Sequence, residues 1–153
     1  MELESARRLE DKGIWHRIIE LRSRAVSVSD VIQHSKETLN PEEICKTIIV
    51  KDKAGRPHAL MLLGAHRVDF AKAQKAIGAA VKLATSEEVK EWTGVEPGAV
   101  CPLLLSLPVF IDRRVFEKEK INFGSGNHFY GIEMCSGDLE NAIPFTQVDI
   151  AQV

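Results

Sequence analysis

Two apolar runs on either side of a short turn constrain the fold of this chain more than any other feature. Ile44-Cys45-Lys46-Thr47-Ile48-Ile49-Val50 is rich in β-branched residues, Asp52-Lys53-Ala54-Gly55 has turn chemistry, and His58 to Leu63 is apolar again. The pattern predicts a central β-hairpin. One cation, Lys46, stands at the entry of the first run. Lys51 and Lys53 lie beyond it, where a solvated charge costs nothing, whereas an ammonium at position 46 is retained chiefly for a partner. The rival reading lays the Lys46 stem along apolar neighbours with its charge in solvent.

Around this hairpin the periodicity alternates between helix and strand. Glu4 to Lys12 reads as a helix closed by Gly13, and His16 to Leu21 as a strand. Ser27 or Ser29 caps a second helix running to about Leu39, and Asn40-Pro41-Glu42-Glu43 starts one short turn. Asp69 caps a helix carrying Phe70, Ala73 and Ile77 on one side. Val81 to Ala84 suits a short strand, and Thr85 with Glu88 forms a capping box for a helix through Val89 and Trp92 that Gly94 ends. Strands are expected at Pro108 to Ile111, Ile121 to Phe123, Tyr130 to Met134 and Phe145 to Ile150, with a short helix near Asp138-Leu139. This mixture of hairpins and helices predicts an α/β fold, one domain spanning residues 1–153, with a mixed, strongly curved, barrel-like β-sheet surrounded by helices.

The least regular backbone is Thr93-Gly94-Val95-Glu96-Pro97-Gly98-Ala99-Val100-Cys101-Pro102. Gly94 and Gly98 allow positive φ and close approach of another molecule, while Pro97 and Pro102 stiffen the loop. The apolar Leu103-Leu104-Leu105 anchors its end in a core. Such a loop can present backbone N–H groups to a carbonyl oxygen or a phosphate. The competing reading is an ordinary proline-stiffened connection.

Other chemistries find little support. Cys45, Cys101 and Cys135 show no Cys-x-x-Cys spacing and an odd count, which implies reduced thiols and a cytoplasmic setting. The five histidines lack metal-ligand spacing, so neither a metal nor a cofactor is expected. A charged N-terminus and short apolar stretches predict no secretory signal and no membrane span. A net charge of −2 excludes coating of nucleic acid by charge alone but permits contact at one end. The Gly124-Ser125-Gly126 turn lacks the context of a dinucleotide fingerprint. Cys101 reads as a small apolar filler rather than a nucleophile, since no histidine is tied to it by sequence. His128 reads as a solvated turn residue.

Together, Lys46-Thr47 opening an apolar strand, the Gly94 to Pro102 loop, and Gly124 to Met134 followed by Asp138-Leu139 resemble the YbaK and prolyl-tRNA synthetase editing-domain family over about residues 25–145. Members hydrolyse amino acids wrongly attached to tRNA. The resemblance implies a free-standing aminoacyl-tRNA deacylase whose partners are the 3′ aminoacyl end of a mischarged tRNA and an aminoacyl-tRNA synthetase. It implies that Lys46 orients the terminal adenosine region and that Gly98 to Pro102 lines the aminoacyl pocket. Lys46 and Gly98 are thus the expected catalytic positions. Thr47, Ala99, Val100, Cys101, Pro102, Gly126 and Ser29 form the expected substrate-binding set. Where many relatives carry a His-Asp-Pro-like motif, this chain has Arg24-Ala25-Val26-Ser27-Val28-Ser29, and Gly131 stands where some carry an aspartate before Ile132-Glu133. The expected substrates are small amino acid esters such as those of Ala, Cys, Ser or Thr. The alternatives are a non-catalytic module of the same fold, holding a nucleotide, a tRNA end or a synthetase, and a purely structural role.

Overall fold

A computed structural model describes residues 2–21, 28–35 and 39–153. The chain opens with helix α1 (Glu4–Asp11), strand β1 (His16–Glu20) and helix α2 (Val28–His34). The predicted hairpin follows as β2 (Cys45–Asp52) and β3 (Pro57–Leu63). Next come α3 (Phe70–Ile77), β4 (Val81–Leu83) and α4 (Ser86–Thr93). The remaining elements are β5 (Val109–Asp112), β6 (Lys120–Gly124), β7 (Tyr130–Cys135), α5 (Leu139–Ala142) and β8 (Thr146–Val148).

The local signals act as their chemistry requires. The Asp69 side chain accepts from the Lys72 N–H, and the Thr85–Glu88 capping box is complete. Gly94 closes α4 at φ +80°, its N–H on the Lys90 carbonyl. α2 is shorter than expected, because it ends at His34 and Ser35 bridges to Leu21. Ser29 lies inside the first turn of α2 and is not its cap; Ser27, the other expected cap, lies outside the described residues, as does the 24–27 part of the departing motif. Lys51 is not simply solvated: its Nζ donates to Glu88 Oε2 at 2.6 Å and ties β2 to α4.

The strands form two sheets. One is antiparallel with order β1-β7-β6, and the other has order β4-β2-β3-β5-β8, in which β3–β5 and β5–β8 run parallel. The barrel-like expectation fails. Among the described residues, an isolated bridge between Asn122 of β6 and Ile44, just ahead of β2, is the hydrogen-bonded link between the two sheets, so no continuous ladder closes them on themselves. β3 is buried on both faces. Ala59, Met61 and Leu63 enter the larger core between the sheets, while Leu60 and Leu62 pack beneath α3 with Ala73 and Ile150. Two-sided burial is why its sequence is a continuous apolar run instead of an alternating one.

Candidate active site

Strand alternation turns neighbours Lys46 and Thr47 to opposite faces of β2. Thr47 shares its face with Cys45 and Ile49 of the larger core, and Lys46 lies on the side of Ile48 and Val50. Lys46 is half-buried, and its Nζ donates to the Gly64 carbonyl at 3.2 Å, just past the end of β3. Burial strips water from this ammonium and the Arg67 guanidinium adds like-charge repulsion, so its pKa lies below the ordinary lysine value.

The loop after α4 is built from its own bonds. The Thr93 hydroxyl donates to the Val89 carbonyl at 2.7 Å and accepts from the Val95 N–H at 3.3 Å. Gly98 sits at φ +96°, and the Ala99 N–H donates to the Glu96 carbonyl at 3.2 Å. That N–H is therefore used within the loop and is not one of the groups facing a ligand. A second loop, 125–129, is stitched to the first: the Gly126 N–H donates to the Ala99 carbonyl at 3.0 Å. Gly124 suits this approach, since a Cβ there would stand a tight 3.0 Å from the Val100 oxygen. The Ser125 hydroxyl sits among backbone groups at the base of the turn, with Tyr130 O at 2.6 Å and the Asn127 N–H at 3.2 Å.

These elements border a cavity of about 550 Å³ that runs from beneath α2 across the start of β2 to Pro97 and Gly98. Of the expected residues, it brings together Lys46, Thr47, Gly98, Val100 and Ser29. Ala99, Cys101, Pro102 and Gly126 do not line it. Ala99 and Cys101 are buried, and Pro102 begins a 3-10 turn, Pro102–Leu104, that seats Leu103 in the larger core. A short helical turn thus anchors the end of the loop. Burial pushes the Cys101 thiol up to about 12, as it does that of Cys45, so both are thiols rather than thiolates at neutral pH.

Several lining residues stand outside the expected site set. Asn122, Gly124 and Gly131 come from β6 and β7, Gly64 from the end of β3, and Asn127 and His128 from the glycine turn. His128 is not a solvated turn residue: its side chain is only 14% exposed and its Nε2 lies 3.9 Å from Glu96 Oε2. Only the pairing of β6 with β7 and the meeting of the two loops put these positions on one wall. Among the described residues no group of three His, Cys, Asp or Glu side chains is placed to hold a metal, and no helix is long and apolar enough to cross a membrane.

The profile of the aminoacyl-tRNA editing domain family matches residues 25–141. Among solved structures, a hypothetical protein superposes with a TM-score of 0.88 at 25% identity, over 97% of this chain and 100% of the other. A candidate trans-editing enzyme for prolyl tRNA synthetase gives a TM-score of 0.83 at 22% identity, over 100% of both chains. A scaffold used for computational grafting of epitopes gives 0.81 at 20% identity, over 98% of each.

Proposed function

This chain belongs to the aminoacyl-tRNA editing domain family, and on that premise we propose that it acts in trans as a hydrolase, removing a wrongly attached small amino acid from the 3′ end of tRNA. The observation that carries the proposal is that Lys46, a cation, and Gly98, a bare backbone turn, border the same cavity. The candidate trans-editing enzyme matched over its whole length supports action in trans.

The chemistry asks little of side chains. A water attacks the ester carbonyl, negative charge develops on its oxygen, and the ribose oxygen leaves with a proton. Backbone N–H groups at the Gly98 turn and the Lys46 ammonium are suited to meet the developing charge, and the substrate's own hydroxyls can assist the proton transfer. Lys46 and Arg67 repel each other where they stand, so an anionic phosphate of the tRNA end would relieve a strain that the protein carries alone. Thr47, Val100 and Ser29 would hold the substrate around this centre.

Release of amino acid from tRNAs charged with alanine, cysteine, serine or threonine tests the proposal. Lys46→Ala should lower kcat/KM by roughly 100-fold. If no amino acid is released from any of them at protein concentrations near that of the tRNA, the hydrolase reading fails. Binding of an aminoacyl-adenosine analogue without turnover would then favour the non-catalytic module.

A further inference from the structure

Asn122 lies on β6 in the cavity lining, only 3% exposed, and its carboxamide nitrogen is buried with no hydrogen-bond partner among the described residues. The Thr47 hydroxyl, in the same lining, is buried and unpartnered as well. Buried polar groups are nearly always paired, and leaving one unpaired costs stability. The surroundings of Asn122 do not supply the partner. Opposite it on β7 stands Glu133, whose Oε2 accepts from Arg17 Nη2 at 3.0 Å, and across the bridge stands Ile44. Ile19, Leu21 and Ile44, which share the cavity lining with it, are hydrocarbon. A leucine at position 122 would suit these walls better than an amide, unless a ligand brings the missing polar group.

We propose that Asn122 is a specificity-determining residue that selects an acyl group bearing a hydroxyl, of the serine or threonine type, over one ending in a bare methyl. This rests on the hydrolase reading given above. A hydroxyl both donates and accepts, so it satisfies either end of the carboxamide, and being neutral it brings no charge to desolvate. The methyl of an alanyl ester would leave the amide buried and unpaired. Sites built to hydrogen-bond a substrate hydroxyl discriminate strongly against analogues lacking it, whereas apolar pockets discriminate weakly.

The test compares deacylation of seryl-, threonyl- and alanyl-tRNA by the wild type, Asn122→Leu and Asn122→Ala, alongside thermal melts and binding of non-hydrolysable seryl- and alanyl-adenosine analogues. The wild type should prefer the hydroxyl-bearing esters, and in both variants the seryl-to-alanyl ratio of kcat/KM should fall at least about tenfold. Asn122→Leu should melt no lower than the wild type, because an unpaired amide has been removed. A wild-type preference for alanyl-tRNA, or an equal fall on all three substrates, would overturn the proposal, the latter by showing that Asn122 serves the part they share. If no tRNA is deacylated, the hydrolase reading fails by itself. The analogue arm then decides the role of Asn122: a seryl-over-alanyl binding preference lost in the variants upholds it, and equal binding rejects it.

Discussion

The Ser5 hydroxyl donates to the Ser125 carbonyl at 2.8 Å, joining residues 120 positions apart inside a fully buried contact. One turn along α1, Arg8 Nη1 donates to the Leu103 carbonyl at 3.0 Å. Helix α1 lies outside the stretch matched by the family profile, yet it clasps both loops that border the cavity. Ser5→Ala would leave the Ser125 oxygen with one donor fewer, at a cost of about 1 kcal/mol. Chemical denaturation should show that loss, and deacylation should fall with it as the 125–129 loop loosens. A variant as stable and as active as the wild type would remove α1 from any supporting role.

Lys46 gives a pH dependence of definite sign. Its pKa is depressed, so the ammonium is lost at a lower pH than for an ordinary lysine. Affinity for an aminoacyl-adenosine analogue bearing a 5′ phosphate should therefore decline with rising pH before the ordinary lysine range is reached. Lys46→Arg should keep its charge and move the decline upward. A binding profile identical in the two proteins would show that the ammonium makes no contact with the ligand.

Gly124→Ala tests how closely the two loops approach. The added Cβ would meet the Val100 oxygen at 3.0 Å and the Ala99 carbonyl carbon at 3.2 Å, both backbone atoms that cannot swing aside. We expect a loss of about 1–3 kcal/mol in stability, measured by denaturant titration, and a larger proportional loss of activity because the Gly98 turn shifts with Ala99. An unchanged midpoint would mean that the loops yield freely.

Cysteine accessibility offers a check without any substrate. Burial pushes Cys45 and Cys101 up to about 12, while Cys135 is only partly buried. Iodoacetamide at neutral pH should label Cys135 in the folded protein and all three thiols after denaturation, read by mass spectrometry. Rapid labelling of Cys101 in the native state would show that the loop opens to solvent.

Acid stability should report on Asp149. Its carboxyl is held below the usual 3.8 first by the Arg114 guanidinium, at 2.8 Å, and then by Lys72, at 3.2 Å. A depressed folded-state pKa gives stability that is fully present above the unfolded value and is lost as pH falls through the folded one. Asp149→Asn should thus melt lower than the wild type at neutral pH, with the gap narrowing as the solution is acidified below the usual carboxylate pKa. A gap independent of pH would assign the effect to packing.

The local elements were legible because each rests on short-range chemistry. The capping box at Thr85 and Glu88, the left-handed closure at Gly94 and the apolar hairpin either side of Asp52 to Gly55 are decided within a few residues. Lys46 and Gly98 could likewise be singled out, the one by its place in an apolar strand and the other by its stiffened loop.

What the sequence alone determined is therefore which segments become helices, strands and bare turns, since these depend on backbone conformation and neighbouring side chains. The tertiary structure decided which of them meet. The parallel pairing of β5 with β3 and β8, the failure of the two sheets to close, the burial of Ala99 and Cys101 away from the cavity and the arrival of Asn122 and His128 in its wall all depend on contacts between distant segments. Such contacts are selected by the fit of whole surfaces, and no single stretch of chain carries them.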